Sequence, residues 1–170
     1  MTLRMHQPAP ALDLPLAGGG RFKLGEPPPK AFTLIAFYRG LHCQRCKANL
    51  GEMETLLPKF DQLGVDVVAI SSDHQARAEQ SKAEWHLPVM KVGYGLDVEE
   101  GRKWGLYISR GKREDEPAIF IEPALFLVDR QGQLIFAVIN SITRMRPYPE
   151  DILATIERVM ENPDLARGDA

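Results

Sequence analysis

Apolar residues fall along the chain in two patterns, short unbroken runs and stripes at helical spacing, and their alternation predicts the fold class. Ala31–Tyr38 (AFTLIAFY) and Val65–Ser71 (VDVVAIS) are nearly continuous apolar runs of strand length, as expected of strands buried on both faces. Between them Cys46, Leu50, Met53, Leu57 and Phe60 recur at steps of four, three, four and three. That spacing predicts a helix over 44–57, with Pro58 kinking or ending it. Asp73 is placed to cap a second helix reaching about Trp85 and closed by Pro88. After a short extended piece at Val89–Val92, Asp97 and Glu100 resemble a capping box opening a third helix that Gly105 stops. Leu125–Asp129 and Leu134–Asn140 read as strands joined by a tight hairpin at 130–133, and a last helix covers Glu150–Met160. In front, Leu12–Leu16 and Phe22–Leu24 flank Gly18–Gly20 as the arms of a hairpin, and the polar tail from about Glu161 is expected to fray.

The order is β-α-β-α-β-α-β-β-α behind an N-terminal hairpin. Alternating buried strands and helices predict an α/β sandwich with a parallel portion, to which the closing hairpin adds antiparallel pairing. A length of 170 residues fits one domain, 1–170, with a real core. A formal charge of −2 argues against a nucleic-acid binder, and no apolar run approaches the length of a membrane span. Pro8, Pro10 and Pro15 interrupt the first residues, which lack the apolar stretch of a signal peptide, so the expected address is the cytoplasm.

Two cysteines change the picture. Cys43 and Cys46 stand as C-x-x-C, too few for a disulfide scaffold and too few alone for a four-ligand zinc site. In a reducing compartment such a pair points to redox chemistry or metal binding. Cys43 falls where a buried strand and the loop 39–42 hand over to a helix, so the free N–H groups of the first turn favour its thiolate. Cys46 lies one turn on, within the apolar stripe. This predicts an exposed, attacking Cys43 and a more buried, resolving Cys46. Arg39, His42, Arg45 and Lys47 surround the pair with positive charge able to orient an anionic or polar co-substrate.

Several segments resemble the peroxiredoxin-like (AhpC/TSA, redoxin) branch of the thioredoxin fold. These are His6–Leu12, the turn Phe37-Tyr38-Arg39-Gly40-Leu41-His42-Cys43-Gln44-Arg45-Cys46, the strand Val65–Asp73 and the stretch Glu122-Pro123-Ala124-Leu125-Phe126-Leu127-Val128-Asp129. The resemblance implies a thioredoxin-like three-layer sandwich, a central mixed β-sheet flanked by helices, with the N-terminal β-hairpin as an extension. It also implies a thiol-dependent antioxidant oxidoreductase acting on a peroxide or disulfide, with a reversible Cys43–Cys46 disulfide reduced by an external thiol such as thioredoxin or glutathione. It admits a homodimer and calls for no cofactor, metal, nucleic acid or membrane. Pro123 would be cis and face the Cys43 sulfur. Arg39, His42, Glu122, Pro123 and Tyr107 are the expected substrate-side residues, with Glu122 also placed to shuttle a proton. Trp104, in a stretch (Trp104–Tyr107) that also resembles this branch, reads first as core.

Two departures bear on activity. Typical members carry a Thr three residues before the attacking Cys and a Pro seven before, whereas this chain has Gly40 and Ala36. Thioredoxin-type reductases usually place Gly-Pro between the cysteines, whereas this chain has Gln44-Arg45. The alternatives are therefore a protein disulfide reductase, a metal site using His42, Cys43 and Cys46, and a non-enzymatic module of the same fold.

Overall fold

The computed structural model describes residues 3–170. Five strands form the central sheet, β3 (Phe32–Phe37), β4 (Val65–Ile70), β5 (Lys91–Gly93), β8 (Ala124–Asp129) and β9 (Leu134–Ile139), in the order β5-β4-β3-β8-β9. β3, β4 and β5 run parallel, while β8 is antiparallel to β3 and to β9. The sheet is thus mixed, as the alternating pattern predicts. Its central strand alternates between two buried faces, which is why it reads as a continuous apolar run. Leu34, Ala36 and Tyr38 meet one core with Cys46, Leu50, Met53 and Phe60 of α1 (Gln44–Gln62) and Ile152 and Ile156 of α4 (Pro149–Glu161). Ile35 and Phe37 meet the other core, with Leu14, Phe22, Trp104 and Phe126. The latter face is covered by the hairpin β1–β2 (Asp13–Pro15, Arg21–Lys23) and by Leu96, Trp104 and Leu106, which flank the short helix α3 (Val98–Lys103). On the α1 side, α2 (Gln75–Glu84) adds Ala78.

Several local expectations are corrected. α1 continues through Pro58, which stands exposed while Phe60 two residues on is fully buried. A proline that costs one backbone bond is tolerated where later residues still gain burial. Asp73 does not cap α2: His74 holds that position, and the Asp73 carboxylate turns to the neighbouring loop. At α3, Asp97 accepts a hydrogen bond from Glu99 N at 2.7 Å, and Glu100 pairs with Lys103 instead of closing a capping box. The tail is anchored, since Met5 N donates to Gly168 O at 2.9 Å and His6 Nε2 lies 3.1 Å from Ala166 O. A hairpin absent from the sequence reading, β6–β7 (Ile108–Arg110, Ile119–Ile121), frames the charged segment 111–118.

The core around Phe126 is aromatic, with Phe37 and Trp104 edge-on at 5.8 and 4.9 Å between centroids. Phe126→Ala should therefore cost about 3–5 kcal/mol in urea unfolding. Tyr107→Ala, at a side chain 55% exposed, should stay within about 0.5 kcal/mol. Equal effects would contradict this assignment of core and surface.

Candidate active site

Parallel pairing of β3 with β4 ends with Phe37 opposite Ile70, so the loops that follow the two strands lie side by side. Ligand sites in open α/β sheets gather at such strand ends, where the sheet order changes direction. Here chain order passes from β3 to β4 on one side, while β8 lies on the other. The first loop turns at Gly40 (φ +125°), and Cys43 N donates back to Gly40 O at 3.0 Å. From the second loop Asp73 Oδ2 accepts a hydrogen bond from Leu41 N at 2.8 Å, and Asp73 Oδ1 accepts one from Arg77 Nε at 3.0 Å. The carboxylate fills the space beside Gly40, where an added Cβ would lie 2.7 Å from both carboxylate oxygens.

Cys43 is the N-cap of α1, and its Sγ accepts from Cys46 N at 3.2 Å. The helix start therefore offers the sulfur a backbone donor, as the sequence predicts. Cys43 and Cys46 form a disulfide with Cα atoms 5.2 Å apart. The expected contrast in exposure is not found: Cys43 is 3% and Cys46 0% accessible. Arg146, from the loop 140–148 between β9 and α4, reaches the sulfur pair with its side chain. Its Nη2 lies 3.2 Å from Cys46 Sγ and 3.6 Å from Cys43 Sγ. Burial, with repulsion from Arg39 and Arg45, lowers its pKa to about 10 against an opposing pull from Glu122, so it stays charged at neutral pH. Sequence reasoning missed Arg146 because a hundred residues separate it from Cys46. Its only local signal is a basic pair, Arg144 and Arg146, in an otherwise weakly patterned connection.

The other expected residues form a neighbouring network. Arg39 is ion-paired with Glu122 (Nε–Oε2 3.2 Å) and Glu116 (3.5 Å), and its guanidinium lies 4.7 Å from the Phe120 ring centre. Glu122 is buried and its Oε1 accepts from Ser109 Oγ at 2.6 Å. His42 is also buried, edge-on to Phe120 at 4.8 Å, with Nδ1 3.4 Å from Arg77 Nη2. Burial, then the charge of Arg39, lowers its pKa below 6.5, Arg77 adding to the shift while Asp73 and Glu116 oppose it. Among the described residues no three His, Cys, Asp or Glu side chains converge as metal ligands. Tyr107 projects outward, although its carbonyl accepts from Glu122 N at 2.7 Å. Trp104 is fully buried, as read.

Pro123 corrects the cis expectation: the only cis peptide among the described residues is Glu26–Pro27. Glu122 N bonds to Tyr107 O beside β6, and Pro123 O accepts from Asn140 N beside β9. An extended trans linkage carries the chain from one ladder to the other without the cost of a cis bond.

A family model for the AhpC/TSA family matches residues 5–137. The chain belongs to the AhpC/TSA family. No curated protein sequence matches it. Among solved structures, this AhpC/TSA chain is similar to peroxidoxin BcpB from Mycobacterium tuberculosis, with a TM-score of 0.76 and 14% identity, covering 93% of this chain and 99% of that one. It is also similar to a reduced 2-Cys peroxiredoxin from Plasmodium vivax (TM-score 0.78, 15% identity, 96% and 85% covered). A third likeness is to a cysteine-to-serine mutant of PrxQ from Xylella fastidiosa (TM-score 0.75, 16% identity, 94% and 99% covered). These likenesses establish the thioredoxin-type peroxiredoxin fold. No helix among the described residues is long and apolar enough to cross a membrane.

The geometry of the turn and its neighbours can be tested at two residues. Gly40→Thr should lower stability by about 2 kcal/mol or more, from backbone strain and the collision with Asp73. Combined with Asp73→Ala its cost should shrink, and full additivity of the two changes would contradict the collision. For His42, the unfolded chain binds the proton first on acidification. Stability should fall as pH drops below about 6.5, until the native ring also protonates, and His42→Asn should flatten that limb in unfolding midpoints taken from about pH 7.5 to 5.

Proposed function

We propose that the protein is a thiol-dependent antioxidant oxidoreductase that cycles Cys43 and Cys46 between dithiol and disulfide. The observation carrying this reading is the sulfur pair at the start of α1, met by Cys46 N–H and by the Arg146 guanidinium. Both donors favour a thiolate over a thiol, which is the form that attacks. With a hydroperoxide as oxidant, the Cys43 thiolate takes the outer oxygen and the peroxide O–O bond breaks. Cys43 becomes a sulfenic acid carrying the transferred hydroxyl, and the alkoxide leaves as the alcohol after taking a proton from solvent. The Cys46 thiol then attacks the Cys43 sulfur, water leaves, and the disulfide closes. Two electrons from an external thiol, such as thioredoxin or glutathione, restore the pair. Membership of the AhpC/TSA family supports peroxide as the oxidant. In this reading Arg146 is a donor to the peroxide oxygens, while Arg39, His42, Glu122, Pro123 and Tyr107 shape the approach.

A second reading, reduction of protein disulfides, is favoured by the Gly40 turn. The hydroxyl that typical members place there has no room beside the Asp73 carboxylate. In that case the Cys43 thiolate attacks a substrate sulfur, and Cys46 resolves the mixed disulfide.

Single-turnover kinetics separate the two. Ionisation alone raises reactivity at pH 7 by at most about 30-fold over a free thiol of pKa about 8.5. Oxidation by hydrogen peroxide beyond that factor requires polarisation of the peroxide and should collapse in Arg146→Met. Peroxide rates at or below it, with rapid insulin reduction, would select the second reading. On either route Cys43→Ser should abolish turnover, whereas Cys46→Ser should trap a sulfenic acid or mixed disulfide visible by mass. Equal loss of the first step in both variants would contradict their assigned roles.

A further inference from the structure

Between the start of α1 and the loop 140–148 lies a cleft of about 580 Å³, within the usual size range of small-molecule sites, and it meets the sulfur pair through Arg146, which stands between them. Arg45, Arg144 and Arg146 line it, with Asn49 and Asn140, against a single acid, Glu52. Elsewhere around the active site, the arginines Arg39 and Arg77 meet carboxylates. Among the described residues, none of the three cleft arginines has an acidic partner within 4 Å. Arg146 Nε is in addition buried without a hydrogen-bond partner. Three guanidiniums facing one lining acid leave the cleft with an excess of positive charge, which an entering anion offsets. The same Arg146 touches both sulfurs, so the anion would arrive next to the disulfide.

We infer that this cleft binds the reductant, a low-molecular-weight thiol carrying carboxylates, and that Arg45 and Arg144 hold its carboxylates while its sulfur attacks Cys43. The inference rests on the dithiol–disulfide cycle proposed above and names the chemistry of its reducing half. The concavity favours a small thiol over a protein thiol, because the sulfurs lie beneath Arg146 and are almost wholly covered. Attack falls on Cys43, because Cys46, the sulfur nearer Arg146 Nη2 (3.2 Å against 3.6 Å), is then the one that leaves. The thiolate RS⁻ forms an RS–Sγ bond to Cys43 as the Cys43–Cys46 bond breaks and Cys46 leaves as a thiolate. Arg146 Nη2, 3.2 Å from that sulfur, offsets the charge on the leaving group. A second RS⁻ attacks the thiol-derived sulfur of the mixed disulfide, releasing RSSR and the Cys43 thiolate. Two thiols are oxidised by two electrons, and their two protons pass to the cysteines or solvent.

The test uses the full, oxidised protein and follows loss of the disulfide by acid quench, alkylation and mass. Glutathione, its diethyl ester and dithiothreitol are compared at equal thiolate concentration. At low salt the glutathione rate constant should exceed that of the ester by about tenfold, and the ratio should fall toward one at high salt. The ratio should also fall toward one in the double variant Arg45→Gln/Arg144→Gln, whose substitutions lie at exposed positions. Equal rates for glutathione and its ester in the unmodified protein, with dithiothreitol active, overturn this inference alone. A ratio that survives in the double variant removes these arginines from the site and overturns it equally. A protein whose Cys43–Cys46 disulfide dithiothreitol cannot open overturns the oxidoreductase reading and this inference together.

Discussion

The Asp73 carboxylate, bound to Leu41 N and Arg77, is the contact on which the turn leading to the cysteine pair depends. Parallel pairing of β3 and β4 brings the two loops together, but it does not specify how the first of them reaches the helix. The carboxylate does so by accepting a backbone N–H within the turn, two residues before the helix cap. It is buried, and its charge is met by one guanidinium and one amide. A buried carboxylate needs such partners, and their loss would leave a costly charge inside the fold. Gly40 follows from the same constraint, because the carboxylate occupies the place of a side chain.

From that turn the helix start is set, and with it the sulfur pair. The cap places Cys43 against the backbone N–H of Cys46, and the helical turn brings the second sulfur to the first. Arg146 closes the arrangement from the opposite end of the chain. The positive charge around the pair then divides into two parts. Arg39 and Arg77 are neutralised by Glu116, Glu122 and Asp73 and serve to hold loops. Arg45, Arg144 and Arg146 line the cleft side, where no carboxylate pairs with them among the described residues.

Much of the fold was legible in the chain, since both central strands are apolar runs and α1 carries a clear stripe. The pair of cysteines at a strand-to-helix handover was equally readable, because capping is a local property. What escaped was non-local or depended on competition between partners. Asp73 carries a capping signal, yet the amide of Leu41 won its carboxylate. Pro58 carries a stop signal, yet burial of Phe60 carried the helix past it. The short strands of β6–β7 give periodicity too few residues to reveal them, and Arg146 belongs to the site only through the packing of the loop 140–148.

The two halves of the proposed cycle make different demands on this arrangement. Oxidation by a peroxide calls for donors aimed at oxygen, and the Gly40 turn supplies a carboxylate acceptor where a hydroxyl donor would stand. Arg146 is then the side-chain cation in contact with the sulfurs, and the same group must serve the developing charge on oxygen and the departing Cys46 thiolate. A guanidinium can do both, since it presents several donors in one plane and keeps its charge as either sulfur gains electrons. Whatever displaces the loop 140–148 therefore affects both halves of the cycle together. In the proposed cycle, an anion held in the cleft beside it would act first on the step in which the disulfide opens.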